Sequence, residues 1–96
     1  MKTLNEIITI LKTNELYLKQ KYKIKNIGLF GSVCRGDATD DSDIDILAEF
    51  EEPIGLEFVD LALELEKLLN NKVDLVSKKG IKSSYLRYVL EDLVYV

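Results

Sequence analysis

Histidine is absent from this 96-residue chain, and there is only one cysteine, Cys34, and one proline, Pro53. A lone cysteine excludes an intrachain disulfide. Without histidine, zinc sites of the Cys/His type are excluded and the commonest general base is missing. Acid–base and metal chemistry then fall to carboxylates. Positive charge is short as well: 13 basic residues stand against 17 acidic ones, a net charge of −4. A non-specific nucleic-acid binder needs a basic face to displace counterions, so direct nucleic-acid binding is not expected. A nucleotide substrate remains open, because divalent metals can supply the charge a triphosphate needs. No apolar run is long enough to span a bilayer, and MKTLNEIITI lacks the form of a signal peptide. The expected setting is soluble, reducing and cytoplasmic, with no membrane partner.

What is present suffices for one core. Apolar residues make up 47% of the chain, and the 31% that are charged are spread along it, which argues against disorder. The length fits a single domain, expected to cover residues 1–96.

The chain opens on a capping-box pattern, Thr3 with Glu6 three residues on. Leu4, Ile7, Ile8, Leu11 and Leu18 follow at helical spacing, which predicts one helix from about Leu4 to about Lys21. Ile24 to Phe30 reads as a strand ending at Gly31-Ser32. Val33 to Ser42 is polar and rich in turn formers, and Asp43 to Phe50 reads as a second strand, broken by Glu51-Glu52-Pro53. Phe58, Leu61, Ala62, Leu65, Leu68 and Leu69 form one stripe of an amphipathic helix, read as a core face. Lys72 to Val76 reads as a third strand, Ser83 to about Glu91 as a last helix, and Leu93 to Val96 as a short terminal strand. Tyr85, Tyr88 and Tyr95 read as core or ordinary surface. The expected fold is α/β (α+β): a small mixed sheet of three to four strands with helices packed on one face.

Asp43-Ile44-Asp45 is the most informative tripeptide. Strand side chains alternate faces, so Asp43 and Asp45 point one way while Ile44 and Ile46 point into the core. Two carboxylates held together repel unless a cation lies between them, and magnesium prefers such hard oxygen ligands. Asp74 stands in an otherwise apolar strand, where an acidic residue is unfavourable. If that strand neighbours the one carrying Asp43 and Asp45, three carboxylates meet on one surface. Such a set can hold two metals about 3.5–4 Å apart for in-line phosphoryl displacement. A calcium loop is the competing reading, since Asp41, Asp43, Asp45 and Glu52 occupy positions one, three, five and twelve. It fails because Ile46 stands where that loop needs glycine.

Gly31 permits close backbone approach, and the Ser32 hydroxyl with exposed N–H groups can hold phosphate oxygens. Arg35 could add a planar cation. Gly31-Ser32, ten residues, then Asp43-Ile44-Asp45 resembles the GS-x10-DxD signature of the DNA polymerase beta-like nucleotidyltransferase superfamily. The segments Leu29–Ala38 and Ser42–Leu47 resemble its minimal members, the MNT proteins, and Asp74 falls where that family places its third carboxylate. Cys34 departs from the small alanine common there; a small apolar side chain should preserve the turn, and no redox role is expected of it.

The resemblance implies that Asp43 and Asp45 ligate two Mg2+ ions, that Asp74 shares one and helps an acceptor hydroxyl lose its proton, and that Gly31 and Ser32 hold the outer phosphates of ATP, with Arg35 close by. Attack on the α-phosphorus would release pyrophosphate. Phosphoryl chemistry of this kind is mainly positioning and charge neutralisation, so the missing histidine is no obstacle. No acceptor-binding domain is recognised in the chain, which points to an acceptor on another protein. MNT proteins of this size resemble the antitoxin half of toxin–antitoxin pairs whose toxin is a HEPN ribonuclease, in which the antitoxin transfers AMP from ATP to a toxin tyrosine. The expected partner is a cognate HEPN toxin, in a hetero-oligomer for which the negative charge is suited. The alternatives are an antitoxin that acts by binding alone, against which the intact Asp43, Asp45 and Asp74 count, and a subunit of a small-molecule nucleotidyltransferase of aminoglycoside type.

Overall fold

A computed structural model describes residues 1–96. In chain order it contains α1 (Leu4–Thr13), α2 (Glu15–Tyr22), β1 (Ile24–Phe30), the single helical turn α3 (Ser32–Arg35), β2 (Ile44–Phe50), α4 (Glu57–Leu69), β3 (Val73–Ser77), a 3-10 turn (Lys78–Gly80), α5 (Ser83–Asp92) and β4 (Val94–Tyr95). The sheet order is β3-β2-β1-β4. β1 runs antiparallel to both β2 and β4, while β2 and β3 are parallel and joined by the α4 crossover that parallel strands require. This is the small mixed sheet expected from the sequence.

The capping box at the start of α1 is complete. Glu6 N–H donates to Thr3 Oγ1 at 3.2 Å, and Thr3 N–H donates to Glu6 Oε1 at 2.9 Å. The single helix expected to run to Lys21 is instead two, divided at Asn14. The Asn14 side chain donates to Ile10 O at 2.8 Å, and its backbone N–H donates to the same carbonyl at 3.2 Å. Asparagine competes in this way for helical carbonyls, and the periodicity of apolar residues does not register it. The buried face continues through the break, on Ile7 and Leu11, then Leu18 and Tyr22.

The two faces of the sheet are filled unequally. On one, α1, α2 and α4 enclose a cluster that includes Ile7, Leu29, Ile44, Ile46, Leu61 and Leu65. Leu61, Leu65 and Leu69 of α4 are fully buried, each stabilising by about 1.5–3 kcal/mol. The expected helix layer is this one. The other face carries only Phe30, Leu47 and Val89, with Val76, Ile81 and Leu93 packed beside them. Val89 brings α5 onto this second face, so not all helices share a side. The period of two explains the division: Ile44 and Ile46 go to the crowded face, and Leu47, like Asp45, goes to the other. No charged side chain is fully buried.

Candidate functional site

The site lies on the sparsely covered face, where β1 ends and β2 begins. Phe30, the last residue of β1, is paired across the antiparallel ladder with Asp45. Asp45 is paired across the parallel ladder with Asp74. Directly paired residues project on the same side of a sheet, so both carboxylates emerge together. Asp43, one residue before β2, is two positions from Asp45, near enough for its charge to act on the Asp45 carboxyl. The hydrogen bond from Ile44 N–H to Lys72 O, 2.9 Å, ties this strand start to the approach of β3. The preceding loop is ordered by Thr39 and Ser42: Thr39 N–H donates to Ser42 Oγ at 2.9 Å, and Ser42 N–H donates to Thr39 O at 3.0 Å. The structure thus brings Asp43, Asp45 and Asp74 to one edge.

Gly31 turns the chain above these carboxylates. Its φ of +76° lies in the left-handed region, and a side chain there would run into the Asp45 carboxylate, whose Cγ would stand 3.0 Å from an added Cβ. Glycine is therefore required both by the turn and by the close approach. Ser32 opens the α3 turn, and its carbonyl accepts from Gly36 N–H at 3.0 Å and Asp37 N–H at 3.2 Å. Arg35 ends the turn and points toward α5: Nη1 donates to Asp92 Oδ2 at 2.9 Å and Nε to Asp37 Oδ2 at 3.4 Å. The guanidinium is half-exposed, which leaves it open to exchange one carboxylate for another anion.

Electrostatics single out Asp45. Partial burial pushes its pKa up to about 6, and the neighbouring charges of Asp74 and Asp43 push the same way, with a hydrogen bond to Asp74 adding to the effect; Arg35 opposes it. A carboxyl so placed favours a proton or a metal ion as company. The three carboxylates do not close into a ready-made cage of their own. The donor set nonetheless suits magnesium, which takes one or two carboxylates and completes its shell with water and substrate phosphate. Burial, then Asp92 and Asp45, raise the Cys34 thiol, which disfavours the reactive thiolate form.

A cleft of about 290 Å³ opens beside the carboxylates, lined by Gly31, Arg35 and Asp45 from one side and by Tyr85, Tyr88 and Asp92 of α5 from the other. Sequence reasoning missed the α5 contribution. Tyr85, Tyr88, Val89 and Asp92 follow helical one-face spacing, but nothing in the sequence tells that the stripe faces Arg35. A groove of about 350 Å³ lined by Phe50, Pro53, Ile54 and Phe58 lies at the far end of β2. Its charged lining is Glu52 and Lys79, with no carboxylate pair, so the chemistry selects the smaller cleft.

Residues 11–96 match the family model of the nucleotidyltransferase domain. The chain is 50% identical to a provisionally named protein adenylyltransferase of Methanocaldococcus jannaschii, with each chain covered in full. It is 46% identical to the protein adenylyltransferase MntA of Thermococcus cleftensis, over all of this chain and 98% of that one. Among solved structures, a toxin–antitoxin complex with AMP-PNP matches with a TM-score of 0.74 at 25% identity, over 88% of this chain and 70% of that one. No helix is long and apolar enough to cross a membrane. The four-stranded mixed sheet agrees with these matches, and the chain belongs to the nucleotidyltransferase-domain family, as an enzyme that transfers a nucleotide.

Proposed function

We propose that residues 1–96 act as one minimal nucleotidyltransferase domain, a protein adenylyltransferase antitoxin that moves AMP from ATP to a tyrosine of a cognate HEPN ribonuclease toxin. One observation carries the reading: the β2–β3 register sets Asp74 across from Asp45, under a turn that only Gly31 permits. The relatives named as protein adenylyltransferases, and the fold shared with a toxin–antitoxin complex, support the choice of AMP and of a toxin as acceptor. The net charge of −4 suits a basic, RNA-cutting partner in a hetero-oligomer.

In this scheme Gly31, Ser32 and Arg35 hold the triphosphate, with Arg35 exchanging Asp92 for phosphate. Asp43, Asp45 and Asp74 would hold two magnesium ions, whose positive charge would offset that of the triphosphate and of the departing pyrophosphate. The tyrosine oxygen attacks the α-phosphorus. An O–P bond forms, the bond from that phosphorus to the bridging oxygen breaks, and pyrophosphate leaves with the electron pair. Asp74 receives the phenolic proton. The rest is positioning, which is where most of the acceleration in phosphoryl transfer arises.

Incubation with ATP labelled at the α-phosphate, magnesium and the protein encoded beside this chain tests the proposal. Label on a tyrosine of that protein is the expected result. A tight complex that never acquires label would replace it with neutralisation by binding alone.

A further inference from the structure

We infer that Tyr88, with Tyr85 beside it, forms the platform on which the base of the nucleotide stacks, and so makes α5 the element that selects purine nucleotides. The inference rests on the proposed placement of the triphosphate at Gly31, Ser32 and Arg35.

The geometry begins at Asp92. Asp92, Val89, Tyr88 and Tyr85 lie three, four and seven residues apart, which puts them on one stripe of α5. Each has a distinct contact or opening. Asp92 grips Arg35 at 2.9 Å, and Val89 is buried against Phe30 and Leu47. The Val89 contact anchors this stretch of α5 to the sheet whether or not Arg35 stays on Asp92, so Tyr85 and Tyr88 are held in the lining of the same cleft as Gly31 and Asp45. At about 1.5 Å of rise per residue, Tyr88 stands about 6 Å and Tyr85 about 10 Å along the axis from Asp92. That separation resembles the reach of one nucleotide from its phosphates to its base. A nucleotide with phosphates at Arg35 therefore lays its base along the tyrosines.

The chemistry of the lining agrees. Tyr88 is 70% exposed and Tyr85 46%, large apolar faces left open to water beside the carboxylate edge. Aromatic faces in such a position gain by stacking on a flat ring, and a purine offers more area than a pyrimidine. The cleft is small for a ligand site, near the lower end of the usual range of roughly 300–1,000 Å³. It suits the base and sugar of one nucleotide better than a bulky acceptor.

The test is equilibrium binding of ATP, UTP and inorganic tripolyphosphate, each with magnesium, to the wild-type chain and to Tyr88→Ala, Tyr85→Ala and Tyr88→Phe. Because both tyrosines are exposed, the variants should keep the wild-type circular dichroism and melting temperature. Tyr88→Ala should weaken ATP about tenfold, the scale of one lost stacking contact. It should leave tripolyphosphate unchanged and shrink the preference for ATP over UTP. Tyr88→Phe, which keeps the ring, should bind ATP like wild type. Unchanged ATP affinity in both alanine variants, with wild type binding normally, would overturn the platform and leave the phosphate site standing. Equal weakening of ATP and tripolyphosphate would overturn it too, by showing a disturbed Arg35 instead. A wild-type chain that binds neither ligand would overturn the phosphate site and the platform together.

Discussion

The two faces of the sheet divide the labour of the molecule. The face under α1, α2 and α4 is closed, apolar and fully packed, with Ile7, Leu29, Ile44, Ile46, Leu61 and Leu65 all without solvent access. The face under α5 has three buried residues, a half-buried aspartate whose charge is disfavoured, and an open cleft. A domain of this size has few spare interactions. It concentrates them on one side and leaves the other free to hold charges in an arrangement that costs stability. The same strand serves both sides, since Ile44 and Ile46 face one way and Asp45 the other.

Asp45→Asn should separate the faces most sharply. Nucleotide transfer should fall by about 10³-fold or more, because the substitution removes a charge from the proposed metal and phosphate edge. Stability in the absence of magnesium should hold or rise, since a disfavoured charge is removed. A variant that transferred nucleotide near the wild-type rate would break the contrast.

Core truncations come next. Leu65→Ala, on the closed face, should destabilise by about 2–5 kcal/mol in denaturant unfolding. Val89→Ala, on the open face, should lose only about 1–2 kcal/mol, having fewer methyl groups and a smaller cluster to disturb. Equal losses would mean that the two faces contribute alike.

The smallest expected effect is in the pH dependence. In the folded chain Asp45 keeps its proton up to about pH 6, whereas an unfolded aspartate releases it near pH 4. The folded state thus binds more protons in that window, and metal-free stability attributable to Asp45 should fall as pH rises from about 4 to about 6. Allowing for solvent screening of a partly accessible group, the loss should be about 1 kcal/mol. Glu6, Glu49 and Glu64 are shifted downward and pull the opposite way. The difference between wild type and Asp45→Asn, measured with a chelator present, isolates the aspartate.

Much of this contrast is legible in the sequence. The strand Ile24–Phe30 and the α4 stripe follow from periodicity alone, because period and burial are local signals. The meeting of Asp45 with Asp74 depends on a strand pairing that the sequence does not specify, and the parallel register supplies it. Other features escape for physical reasons. The break at Asn14 is a side-chain hydrogen bond within a sound apolar pattern. The α3 turn is too short to show a period. The Arg35–Asp92 pair joins residues 57 apart, so neither names its partner in the sequence. The position of α5 on the open face depends on Val89, which looks in sequence like any helix-core valine.

The most direct measurement of the central claim is paramagnetic broadening of amide signals by Mn2+ in the presence of a non-hydrolysable ATP analogue. Broadening centred on Gly31, Ser32, Asp43, Asp45 and Asp74, with α1 and α4 unaffected, is the result expected if the open face is one metal and nucleotide site. Broadening centred on other carboxylates, such as Glu51 and Glu52, or none at any of the five residues, would contradict it.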